Sequence, residues 1–177
     1  MTDYSQVILQ HQAESNRLQA ANRLAFDKRK KSQHALRDWE RTASELRNHL
    51  SNANELIERC LVADLNTDQQ LREFMFTYIR VDPFFHRSGY VLEKMLRRAK
   101  SLELSKPERA IVKAAILSRL KTRGGREFRE LCRLIPRVVD DEFRNRLMGI
   151  AELEEPGIRH RANFAKSYLP PANRPCG

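Results

Sequence analysis

The side chains best equipped for chemistry in this chain are arginines. Arg126, Arg129 and Arg133 recur at i, i+3 and i+7, so a helix through them puts three guanidinium groups on one face. Phe128, Leu131 and Ile135 fall on the opposite face. Arg119, Lys121 and Arg123 precede the Gly124-Gly125 pair, and Arg137 follows Pro136. A guanidinium offers a planar fork of donors that meets a carboxylate or phosphate bidentately. Between residues 97 and 137 there are 13 Lys and Arg against 4 Asp and Glu, a local balance of +9 within a net charge of +10. These seven cations are the best candidates for an anion-binding or nucleic-acid-binding surface. The plainer alternative is the solvated face of an amphipathic helix. No exposed aromatics interleave the patch, and no helix-turn-helix, zinc-finger or RNA-recognition signature accompanies it. A nonspecific phosphate binder needs neither.

Other chemistry is hard to find. The five histidines (His11, His34, His49, His86 and His160) lack paired ligand spacing, so no metal site is expected. There is no Gly-rich phosphate loop after a strand and no nucleophile elbow, so no cofactor and no catalytic residue is expected. Asp82 and His86 stand at i and i+4, but Phe84 and Phe85 read as core and Asp82 as the cap of a helix running from Pro83 to about residue 100. Asp140-Asp141-Glu142 is a carboxylate cluster best read as a helix N-terminus, where acidic groups favour the dipole. Cys60, Cys132 and Cys176 are odd in number and widely spaced, against a disulfide framework and for a reducing, cytoplasmic setting. The first residues show no basic segment followed by an apolar run, and no window approaches 18 apolar residues. Neither a signal peptide nor a membrane span is expected.

The elements that must position these groups are helical. Hydrophobic residues make up 41% and charged ones 32%, which suits helices with long polar faces, and no alternating strand of useful length is present. The pI of about 9.9 favours acidic partners without choosing among them. Residues 1–60 contain no Gly or Pro and carry a seam at 3–4 spacing: Tyr4, Ile8, His11, Ser15, Leu18, Asn22, Ala25, Arg29, Ser32, Leu36, Trp39, Ala43, Leu46, Leu50, Ala53, Ile57 and Cys60. The run 27–32 is polar all round but has no turn residue, so one extended helix is favoured over two that meet there. Ser51-Asn52-Ala53-Asn54 is a second candidate break. Polar seam positions in the first half predict that residues 36–60 pack. The first thirty are then exposed or covered only by a partner, with Leu36, Trp39, Leu46, Leu50 and Ile57 as the partner seam.

Beyond residue 60 the punctuation is dense. Capping boxes at Thr67-Asp68-Gln69-Gln70 and at Ser105-Lys106-Pro107-Glu108 open helices to about residues 80 and 121. Ala110, Ile111, Val112, Ala114, Ala115, Ile116, Leu117 and Leu120 make the second of these apolar nearly all round, so it should be central. Gly124-Gly125 ends it, Pro136 ends the next helix, and Pro156 opens the last.

In that last segment, Glu154-Glu155-Pro156-Gly157-Ile158-Arg159-His160-Arg161-Ala162 resembles the start of the second helix of a HEAT-type repeat, with residues 140–153 as the first helix. Residues 106–121 and 126–135 would form an earlier pair. The resemblance covers roughly residues 105–169 and at most two repeats, and implies a helical array that binds proteins or sometimes nucleic acid. The expected architecture is all-α: a long coiled-coil-like N-terminal helix, then a compact multi-helix bundle or short HEAT-like array. Its parts are an amphipathic helix over 1–60, a helical domain over 61–169 and a disordered tail over 170–177. The expected role is a non-enzymatic adaptor that takes a protein partner, or a second copy, through its long helix. The alternative is a basic accessory protein that binds nucleic acid phosphates.

Overall fold

The break at residues 29–32 needs neither glycine nor proline. The Arg29 guanidinium donates to the Phe26 carbonyl at 2.6 Å and lies 3.3 Å from the centre of the Phe26 ring, which caps the first helix. Ser32 Oγ then accepts from the Ala35 amide and starts the second. The computed structural model, which describes residues 2–152 and 155–171, therefore resolves the expected 1–60 helix into three: α1 (Tyr4–Lys28), α2 (Gln33–Arg47) and α3 (Asn52–Val62). The second break falls where Ser51 and Asn54 form a reciprocal capping box.

The rest of the chain is also helical, with no strand among the described residues. It comprises α4 (Gln69–Val81), α5 (Ser88–Ala99), α6 (Lys106–Thr122), α7 (Arg126–Cys132), α8 (Ile135–Val138), α9 (Asp141–Ala151) and α10 (Pro156–Lys166). Pro170 and Pro171 lie outside any helix, and the remainder of the expected tail, 172–177, lies outside the described residues. Two compact units result, Met1–Val91 and Leu92–Gly177, so the division falls within α5 and not at residue 60.

In the first unit α1 and α2 form an antiparallel hairpin. Phe26 meets Trp39 edge-on at 6.0 Å, Thr42 reaches Asn22 at 3.5 Å, and His11 stacks on His49 at 5.6 Å. The first turns of α1 also pack on α4, where Tyr4 meets Phe74 at 5.5 Å. Ile8, His11, Ser15 and Leu18 are buried there, so the N-terminal half of the seam is covered by the chain's own helices. Over residues 8–18 this overturns the expectation that the first thirty residues are exposed or covered only by a partner, whereas Leu24 and Phe26 further along α1 are exposed. His11 tolerates the interior because it is polar at that point: Ser51 Oγ lies 2.9 Å from His11 Nδ1. Leu50 sits between α2 and α3, outside the helical register, and is 86% exposed.

The loop from α4 to α5 departs from the expected helix start at Pro83. Asp82 does cap a helix, but the end of α4: its backbone is left-handed (φ 49°) and its amide reaches the Tyr78 carbonyl. Proline at the next position disfavours continuing the helix, and α5 waits until Ser88. Two side-chain amides of α1 hold this loop. Gln12 Oε1 accepts from the Phe84 amide at 2.7 Å, and Asn16 Nδ2 donates to the Phe84 carbonyl at 3.0 Å. Phe84 itself is 66% exposed and fills no core.

In the second unit α6 packs on α7, α8 and α10, and α9 packs on α10. Val112, Ile116 and Leu120 are fully buried, whereas Ala110 and Ala114 are exposed. Helix α6 is thus central on one side only, its small alanines lining a groove where a helix buried nearly all round was expected. Two sequence caps operate as read: Ser105 pairs with Glu108, and Asp140 accepts from the Phe143 amide at 2.9 Å. At α4 the cap is Asp68, which accepts from the Leu71 amide, and not the expected Thr67–Gln70 box, since Thr67 Oγ donates to the Asp64 carbonyl. Glu155 caps α10 through the Gly157 and Ile158 amides. Ala162 is buried, and Ile158, expected to pack with it, is half-buried.

The burial of His11 gives the first unit a pH limit. Desolvation, and then the neighbouring His49, hold its imidazole below the usual 6.5. The folded form therefore keeps His11 neutral where the unfolded chain already binds a proton. Stability is complete above about pH 6.5 and falls as the pH drops through that value toward the lower folded one. Melting of the wild-type first unit is expected to drop between about pH 7.5 and pH 5, and His11→Gln should flatten that slope. A wild-type slope that persists unchanged in the variant assigns it elsewhere.

Candidate anion-binding surface

The seven cations expected to act together occupy different situations. Arg119 is only 2% exposed and pairs with Glu127 at 2.7 Å. It is a core residue and offers nothing to an outside anion. The reason is its position on α6: three residues past Ile116 and one before Leu120, it faces the packed side, where Glu127 of α7 meets it. Arg137 donates to the Leu102 carbonyl at 2.7 Å and so ties α8 to the segment before α6. Lys121 is exposed at the end of α6, beside the groove that α6 forms with α9. Arg123 is the half-buried C-cap of α6.

Arg126, Arg129 and Arg133 do share a face of α7 and its C-cap, as their spacing implies. They line a cleft of about 270 Å³ together with Arg97, Glu93 and Glu130. The two residues that organise this cleft, Glu130 and Arg97, were not candidates from sequence. The Glu130 side chain is only 3% exposed, yet three cations converge on it: Lys100 at 2.5 Å, Arg133 at 2.6 Å and Arg97 at 3.5 Å. Burial pushes its carboxyl up. The hydrogen bond from Lys100 and the charges of Lys100, Arg133 and Arg97 outweigh that and hold it below the ordinary carboxylate range. Arg97 also pairs with Glu93 one turn earlier on α5. The available sequence signal was the i, i+3 pairing of Glu130 with Arg133. That Lys100 would arrive from the turn after α5, thirty residues away, carries no local signature.

The cleft walls thus hold four arginines against two carboxylates. Arg133 keeps 45% of its side chain exposed and Arg97 58%, so their charge stays accessible although both are oriented. Arg126 and Arg129 are exposed. A group of oriented, part-exposed guanidinium groups can chelate phosphate or carboxylate oxygens with little side-chain entropy left to lose.

The partner seam comes out divided. Ile57 is buried in its own unit, Leu36, Trp39 and Leu46 are half-buried on α2, and Leu50 is exposed. Sequence reading also missed a polar cluster in the first unit, where His11, His49 and Ser51 meet. It is not an activated serine. Ser51 Oγ is already engaged in capping α3, lying 2.8 Å from Asn54 Oδ1, besides its 2.9 Å contact with His11 Nδ1.

Among the described residues no group of three or more His, Cys, Asp or Glu is placed to hold a metal, and no helix is long and apolar enough to cross a membrane. No family model, curated protein or solved structure matches this chain.

Removing a partner from a buried pair strands a charge, which costs far more than losing an exposed pair. Glu127→Ala is expected to destabilise the second unit by about 3 kcal/mol in urea unfolding, because Arg119 stays buried. Glu142→Ala, which removes an exposed pair with Arg146, should cost less than about 0.5 kcal/mol. Equal effects would contradict the buried-pair reading.

Proposed function

We propose that this chain is a non-enzymatic helical binding protein whose second unit takes the phosphate backbone of nucleic acid. The observation that carries the reading is the cleft in which Arg97, Arg126, Arg129 and Arg133 stand together around the buried Glu130 carboxylate. Phosphate contacts of this kind bring affinity and salt dependence without base readout, which suits a patch with no aromatic platform. The buried thiols of Cys60 and Cys132, the latter pushed up to about 12 by its burial, support a cytoplasmic setting.

A second reading, an adaptor for a protein partner, is favoured by the groove of about 450 Å³ along α6 and α9. Ala110, Ala114, Leu117, Phe143 and Ile150 give it an apolar floor, and its rim carries Lys121 and the ion pairs Lys113–Asp140 and Arg146–Glu142. An amphipathic helical segment suits that pattern. The pairing of α9 with α10 and of α6 with α7 supports a HEAT-like use of this unit as a binding array.

The two readings separate in a salt series. Binding of the full chain to single-stranded and duplex oligonucleotides is expected to weaken steeply with salt. The combined Arg126→Gln and Arg129→Gln variant, which leaves the Arg133–Glu130 pair in place, should lower the logarithmic slope by about 2 with its melting temperature kept. No salt-dependent binding, or an unchanged slope, would overturn the nucleic-acid reading and leave the adaptor.

A further inference from the structure

A second cavity, in the first unit, combines features that the nucleic-acid reading does not use. It measures about 410 Å³, within the range of small-molecule sites, and is walled by α1, α2, α3 and the loop before α5. Its apolar lining is Leu46, Ile57, Phe85 and Val91, with Ile57 almost fully buried. Arg47 and Arg87 stand on its wall against one carboxylate, Glu58, and all three are exposed, so the cavity is apolar within and cationic at its edge.

Two further observations single it out. His49 Nε2 is buried with no hydrogen-bond partner among the described residues, although the ring is held in place by the stack with His11. A buried polar atom left unmatched is costly, and a ligand oxygen is one way to match it. Arg87 has a left-handed backbone (φ 67°), which a side chain of its size rarely adopts. The loop holds it there: the Tyr90 and Val91 amides donate to its carbonyl, and Ser88 Oγ accepts from the Phe85 amide. Strain kept at a cavity wall marks a side chain whose position matters.

We propose that this cavity binds a small amphipathic anion. One carboxylate or phosphate head is held by Arg47 and Arg87 with His49 as an additional donor, and an apolar body of about one ring lies against Ile57, Leu46 and Phe85. The site lies wholly in the first unit and uses none of Arg126, Arg129 and Arg133, so it goes beyond the nucleic-acid reading and stands or falls separately.

The test is calorimetric titration of the full chain with 3-phenylpropionate and with phenyl phosphate, alongside side-chain NMR of the histidines. At least one probe is expected to saturate at one equivalent and to move the His49 ring signals, and the tighter of the two identifies the head group. Inorganic phosphate should bind at least tenfold more weakly than phenyl phosphate if the latter is the tighter probe. The double variant Arg47→Gln with Arg87→Asn, the second chosen because asparagine tolerates the left-handed backbone, should weaken binding at least tenfold. Should that variant lose its fold, Arg47→Gln alone, at an exposed helix end, is expected to weaken binding severalfold. The proposal is overturned if neither probe saturates by about 10 mM. It is equally overturned if inorganic phosphate matches a tight phenyl phosphate, or if these substitutions leave affinity unchanged.

Discussion

A carboxylate withdrawn from water has to be surrounded by positive charge, and in the second unit Glu130 imposes that requirement on its neighbours. Arg97 of α5, Lys100 just past its end and Arg133 at the end of α7 all answer it. The consequence is positional more than energetic. Three long side chains that would otherwise sample many rotamers are drawn to one point, beside the exposed Arg126 and Arg129 of the same cleft. Arg119 is the mirror case, a cation placed inside and matched by Glu127. Between them these two residues decide which part of a +9 segment is structural and which part faces outward.

The first unit answers a different constraint. Its longest helix is covered along its first half by α2, α3 and α4, so it cannot act there as a docking rod. The polar residues on its buried face are matched in place: His11 by Ser51, and the α4–α5 loop by the amides of Gln12 and Asn16. What extends beyond that cover is the α1–α2 hairpin turn, where Leu24 and Phe26 are exposed and Arg29 stacks on Phe26.

Helix starts were the most legible feature of the sequence, because capping is local chemistry. Ser105 with Glu108, Asp140 and Pro156 stand where a three- or four-residue pattern places them, and at α4 the cap falls one residue past Thr67, on Asp68. The turn at Arg29 was illegible for the complementary reason: a side chain folded back on its own carbonyl ends a helix without glycine or proline. The seam period was visible, but it could not say that the chain itself supplies the covering helix. At the candidate surface the i, i+3, i+7 spacing of the arginines was legible. The burial of Arg119 and the role of Glu130 were not, since both depend on helices distant in sequence.

The central claim is that the α7 arginines, and not the basic residues generally, meet nucleic acid. Arginine side-chain NMR of the full chain during titration with a single-stranded oligonucleotide tests it most directly. The account predicts that the Nε–H signals of Arg126, Arg129 and Arg133 shift together and saturate, while that of buried Arg119 stays in place. Signals that do not move, or that move equally for arginines across both units, would contradict it.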